Sequence, residues 1–106
     1  YIDDIVDGIL ACMDHPPTSS WEGPPYRIYN IGNNKSEPLM RFISLIEKAL
    51  GMEAEIEFLP MQSGDVQETY ADIEATTRDF GFLPKVSIDQ GVPRLVEWYH
   101  GFYGNK

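Results

Sequence analysis

Apolar residues recur at helical spacing near the start, middle and end of the chain, and alternate with polar residues in two stretches between. Ile2, Ile5, Val6, Ile9, Leu10 and Met13 fall on one side of a helix predicted over residues 3–13. Asp3 and Asp4 stand at its start, where carboxylates accept open backbone N–H groups and favour the positive end of the helix dipole. Residues 15–25 are rich in Pro, Ser and Gly and predict a surface loop, too short to link two domains. Residues 27–32 predict a short strand, with Ile28 and Asn30 on one side, Tyr29 and Ile31 on the other, and Gly32 ending it.

A second helix follows, with Ser36 as N-cap, Pro38 in the first turn, an apolar stripe of Leu39, Phe42, Ile43, Ile46 and Leu50, and Gly51 as its stop. Residues 53–59 alternate acid with apolar side chains, the pattern of a half-buried strand, which Pro60 ends. Strand, helix, strand predicts a parallel pair joined by a right-handed crossover. Residues 69–71 are extended, and Asp72 caps a helix over 73–80 that closes at Gly81. In the last helix Ser87 and Gln90 have capping-box spacing, Pro93 is early enough to be tolerated, and Val92, Leu95, Val96 and Tyr99 form the apolar side. Residues 101–106 are expected to fray. The pattern as a whole predicts an α/β fold of about four helices with a small, partly parallel sheet.

Composition narrows the function classes. A chain of 106 residues with 42% hydrophobic and 24% charged residues fits one globular domain with a modest core. The net charge of −9, with only eight scattered Lys and Arg, disfavours a nucleic-acid surface. No apolar run approaches the ~20 residues of a membrane span, and no charged-then-apolar leader is present, so neither a membrane partner nor a signal peptide is expected. The single Cys12 excludes an internal disulfide framework and fits a reduced, cytoplasmic setting. Tyr1 rather than Met at the first position predicts a piece of a longer protein, with residues upstream.

Catalytic patterns are missing. His15 and His100 lie in a Pro-rich loop and at a helix end, with no Cys-x-x-Cys or His-x-x-x-His spacing, so no metal site is predicted. There is no Gly-x-Ser-x-Gly elbow, no Tyr followed by Lys four residues later, and no Gly-x-Gly to seat a dinucleotide pyrophosphate. Most acids, such as Glu47, Glu53, Glu55, Glu57 and Asp79, suit solvated faces and caps. Asp65 differs. It follows Gly64 in a loop after a strand end, where Gly lets backbone approach a ligand and a carboxylate offers two acceptors to a diol or amide. An ordinary turn uses the same pair of residues.

Four motifs stand in register along the chain: Tyr1-Ile2-Asp3-Asp4-Ile5-Val6, Tyr29-Asn30-Ile31-Gly32, Pro60-Met61-Gln62-Ser63-Gly64-Asp65-Val66, and Thr69-Tyr70-Ala71-Asp72. In this order they resemble the C-terminal, substrate-binding half of extended short-chain dehydrogenases/reductases that act on nucleotide sugars, and most of all the UDP-glucuronate 4-epimerase branch. The resemblance implies that residues 1–106 are a C-terminal nucleotide-sugar-binding domain of a longer enzyme, whose N-terminal Rossmann domain holds NAD and the catalytic Tyr–Lys pair. It implies a UDP-sugar partner, a homodimeric parent, and a fragment that holds substrate without catalytic residues of its own. Asp65 matches the family carboxylate that accepts hydrogen bonds from the uridine ribose. Gln62 stands where many relatives have Arg, and a neutral amide cannot balance phosphate charge. Another phosphate-binding Arg of relatives falls just upstream of Tyr1. Gly64 lies within the same motif, and Asn30 and Tyr70 are further candidate substrate contacts, each with a structural alternative in a turn or in the core. A 4,6-dehydratase or decarboxylase on the same scaffold, and a non-catalytic protein-binding module, are the competing functions.

Overall fold

The computed structural model describes residues 1–18 and 24–104, so positions 19–23 of the predicted loop and the last two residues of the tail lie outside the described residues. Four helices form: α1 (Ile2–Asp14), α2 (Leu39–Leu50), α3 (Glu74–Phe80) and α4 (Ile88–Tyr103). Among the described residues there is no strand, so the α/β expectation with its partly parallel sheet is corrected to an all-helical arrangement joined by extended segments. The helices belong to two compact units. One comprises Tyr1–Lys35 with Tyr70–Lys85, the other Ser36–Thr69 with Val86–Lys106.

The failure of the sheet has a physical cause. Alternation fixes which side of a strand is apolar, but a strand also needs a neighbour to satisfy its N–H and C=O groups. The two predicted strands, 27–32 and 53–59, fall in different units and form no ladder. Phe58, expected to help cover a half-buried face, is 80% exposed, and Ile28 in the other predicted strand is 86% exposed.

In the first unit, segment 27–33 is held by side chains and, among the described residues, a backbone bond. The Thr76 hydroxyl of α3 donates to the Asn30 carbonyl at 2.6 Å, the Asn30 amide donates to the Asp72 carbonyl at 3.0 Å, and the Ala71 N–H reaches the Asn33 carbonyl at 2.9 Å. Thr76 is wholly buried, so its hydroxyl needs that partner. Asp72 Oδ1 accepts the Glu74 N–H at 3.1 Å and satisfies one open donor of α3, which begins one residue later than the predicted Ile73. Gly81 ends α3 at φ +68° with its N–H on the Thr77 carbonyl, the left-handed stop expected of it.

Helix α1 packs on a side that keeps only Ile5 of its predicted apolar stripe half-buried. Ile2, Val6, Ile9, Leu10 and Met13 are exposed, whereas Asp4 and Gly8 are buried. A Cβ on Gly8 would sit 2.8 Å from Ile31 Cγ2 and 3.2 Å from the Phe82 ring, so a bare backbone is what lets α1 approach this closely. Asp4 does more than favour the helix dipole: its carboxylate accepts the Lys85 N–H at 3.0 Å. The His15 ring closes the other end, donating from Nδ1 to the Ala11 carbonyl at 2.8 Å.

Asp79 ties α3 to the same extended segment. Its Oδ1 accepts Arg78 Nε at 2.8 Å, and its Oδ2 accepts the Tyr29 hydroxyl at 2.7 Å and Arg27 at 3.0 Å. The Arg78 hydrogen bond first, then that of Tyr29 and the two guanidinium charges, pull the carboxyl down to about 2. The folded-state value lies below the ordinary aspartate value of about 3.9, so this stabilisation is present above that range. It is lost as pH falls from about 4 towards about 2. Thermal melts of the wild-type chain and Asp79→Asn should therefore differ most near neutrality and converge as pH falls through that window. A gap that stays constant through the acid range would show that the Asp79 charge contributes nothing.

The second unit is built on α2 against α4. Gly91, Val92 and Val96 of α4 are buried, the two valines one turn apart on the same face. Ile43, Leu45, Ile46 and Ala49 of α2 are half-buried, while Leu39 at the start of the predicted stripe is exposed. Arg41 pairs with Glu37 one turn back and with Asp89 Oδ2 at 2.5 Å, which ties α2 to the first turn of α4. Gly51 at φ +68° stops α2 as expected. The N-cap of α2, however, is Pro38, and Ser36 turns its hydroxyl to Glu68. Ser87 is the N-cap of α4, but it accepts the Gln90 and Gly91 N–H groups with its carbonyl, and no side-chain capping bond forms. Helix α4 contains Pro93 and runs on to Tyr103, past the predicted fraying point at 101. Rings at its end pack on each other, with Trp98 and Phe102 stacked at 5.6 Å and Tyr99 and Tyr103 tilted at 4.9 Å.

Candidate functional site

Residues 62–65 form a tight turn in the second unit. The Asp65 N–H donates to the Gln62 carbonyl at 3.2 Å, and Gly64, third in the turn, has φ +98°. A positive φ at that position is the geometry of a type II turn, which a side chain strains and glycine does not. All four residues are exposed. Among the described residues no side chain or backbone group engages the Asp65 carboxylate, so both of its oxygens are open to a ligand. Gln62 and Gly64 stand beside it, and these three predicted residues form one surface.

Asn30 and Tyr70 belong to the first unit. The Asn30 side-chain amide donates to the Asp72 carbonyl across 42 positions, a tie between distant segments and not the turn contact expected as its structural alternative. Tyr70 is 67% exposed and stands at an open hollow of about 630 Å³, which Asn34, Asp72, Glu74, Thr77 and Arg78 also line. Tyr70 therefore lines the hollow and Asn30 does not. Arg78 is the cation in the lining, and its guanidinium is already paired with Asp79, which raises its pKa.

Sequence reading missed what Ser36, Glu47 and Glu68 do, which is to secure the stretch carrying the turn. Glu47 accepts the Ala54 N–H at 2.9 Å, and Ser36 donates to Glu68 Oε1 at 2.5 Å. Ser36 and Glu68 are 32 positions apart, so no local pattern pairs them. Among the described residues no group of three or more His, Cys, Asp or Glu side chains is arranged to hold a metal ion. No helix among them is long and apolar enough to cross a membrane.

No protein-family model matches the chain. Individual proteins do. It is 40% identical over 114 aligned positions to Protein CapI of Staphylococcus aureus, an alignment that covers 97% of this chain and 34% of CapI. UDP-glucuronate 4-epimerase 5 of Arabidopsis thaliana is 36% identical over 110 positions, covering 97% of this chain and 25% of the plant protein. A probable UDP-glucuronate 4-epimerase of Rhizobium meliloti is 36% identical over 115 positions, with 97% and 34% covered. The chain thus spans about a third or less of the length of the curated relatives it matches. The similarity is sustained over nearly every residue, with the Gln62 to Asp65 turn inside it, and a C-terminal fragment of an epimerase-like protein, similar to the UDP-glucuronate 4-epimerases and CapI, fits this chain.

Proposed function

We propose that the chain is the nucleotide-sugar grip of a longer NAD-dependent UDP-sugar 4-epimerase, with UDP-glucuronate as substrate. The observation that supports this most is the unengaged Asp65 carboxylate, raised on the Gln62 to Asp65 turn, in a chain whose relatives include proteins named as UDP-glucuronate 4-epimerases. A ribose presents two adjacent hydroxyl donors, which one carboxylate accepts together with charge-assisted hydrogen bonds. Gly64 keeps the turn free of a side chain on the approach, and the Gln62 amide donates or accepts without adding charge. Phosphate neutralisation then falls to cations outside this turn.

The chain's residues do not fit a dinucleotide site. Among the described residues the helix N-caps are Tyr1, Pro38, Ile73 and Ser87, and none opens a glycine-rich turn onto a helix N-terminus. NAD would therefore be held by the rest of the longer protein, where it would supply hydride transfer. The part played here is remote binding energy, which positions the reacting sugar and lowers the entropy cost of reaching the transition state.

Titration of the 106-residue chain with UDP, followed by NMR, should shift the Gly64 and Asp65 amides. Asp65→Asn should weaken binding about tenfold, the size expected when a charged acceptor is lost. No response at millimolar UDP, or an unchanged affinity in Asp65→Asn, would remove the ribose assignment. The longer protein should convert UDP-glucuronate to UDP-galacturonate. Release of carbon dioxide or a deoxy-keto sugar would instead assign it to a decarboxylase or dehydratase.

A further inference from the structure

Every residue from 51 to 70 is exposed, and neither helix nor strand supports the backbone there. The Gln62 to Asp65 turn sits inside this stretch, and two side chains tie the stretch down. Upstream, Glu47 Oε1 accepts the Ala54 N–H; downstream, the Ser36 hydroxyl donates to Glu68 Oε1 at 2.5 Å. The two ties do not act equally on the turn. Glu68 is three residues from Asp65, about 10 Å of extended chain, whereas Ala54 is eight residues from Gln62, about 27 Å.

We propose that the Ser36–Glu68 hydrogen bond is a latch that pre-orders the Gly64-Asp65 turn for its ligand, making Ser36 and Glu68 positioning residues. This rests on the reading that the turn grips a ribose. Ser36 is a firm anchor, because Glu37 beside it is paired with Arg41 and α2 begins within three residues. An O–H donor on a carboxylate at 2.5 Å is the short, charge-assisted kind of hydrogen bond. Ordering a loop before the ligand arrives removes that entropy cost from binding, so the latch strengthens the grip without touching the ligand. It also accounts for Ser36 leaving the N-cap position that its residue type prefers.

The test uses the 15N-labelled 106-residue chain without ligand and then with UDP. In the free chain, Ser36→Ala and Glu68→Ala should each lower the heteronuclear NOE at the Gly64 and Asp65 amides, and Ser36→Thr, which keeps the hydroxyl, should restore it. With UDP, Ser36→Ala should weaken binding about 3- to 10-fold, and Ser36→Thr should bind like the parent. NOE values unchanged in both alanine variants would overturn the latch. A parent chain that ignores UDP would instead remove the ribose reading, and the free-chain NOE comparison would still decide the latch.

Discussion

Gly8→Val should destabilise the chain by about 1–3 kcal/mol, the cost of forcing extra methyl groups into a packed contact. The added Cβ alone lies 2.8 Å from Ile31 Cγ2 and 3.2 Å from Phe82 Cε2, inside ordinary contact distance, and valine adds two methyls beyond it. Ile31 is half-buried and Phe82 buried, so α1 must back away from the segment it packs on. The loss corresponds to a fall in melting temperature on the order of 5–20 °C for a domain of this size. Gly101→Ala is the matched control, because nothing lies within 4 Å of its added methyl in α4. Removing a helical glycine there should leave stability unchanged or raise it by up to about 1 kcal/mol. A Gly8→Val chain that melts with the parent would show that α1 does not approach Ile31 and Phe82 so closely.

Asp4→Ala should cost about 1–3 kcal/mol, because it strips a part-buried N–H of its acceptor. Asp4 is only 5% exposed, and its Oδ1 takes the Lys85 N–H at 3.0 Å across 81 positions of sequence. Asp4→Asn keeps an oxygen in the same place and should recover part of the loss, which separates hydrogen bonding from charge. Urea unfolding reads the stability, and hydrogen exchange at the Lys85 amide reads the bond itself, expected to quicken about tenfold or more in Asp4→Ala. Exchange at Lys85 that matches the parent in Asp4→Ala would sink this account. The neighbouring Lys85 to Asp7 ion pair is exposed at both ends and should matter far less.

These two residues show how legible the chain was. Helix positions were readable to within one to three residues, because spacing, Gly51 and Gly81 as left-handed stops, and Ser87 at an N-cap are local properties of the backbone. Packing was not. Hydrophobic spacing on α1 pointed to the face with Val6, Ile9 and Leu10, yet the buried face carries Asp4 and Gly8, where a missing side chain and a distant N–H outweigh the stripe. The sheet failed for a similar reason: alternation in 27–32 and 53–59 says nothing about whether a partner edge is available.

The candidate site divides the same way. Gln62, Gly64 and Asp65 are near neighbours in sequence, so a turn that displays them together needs only the positive φ that glycine permits at Gly64. That much, together with the family resemblance and the missing catalytic motifs, lay in the order of residues alone. Ser36 meeting Glu68, Thr76 reaching the Asn30 carbonyl, and Asp79 gathering Arg27, Tyr29 and Arg78 depend on pairs up to 52 positions apart. Such contacts arise when the folded unit brings distant donors and acceptors within reach, whether the bond is part-buried, as at Thr76, or exposed, as at Glu68. Chain spacing does not encode them, and only packing could settle which side chains hold the turn in place.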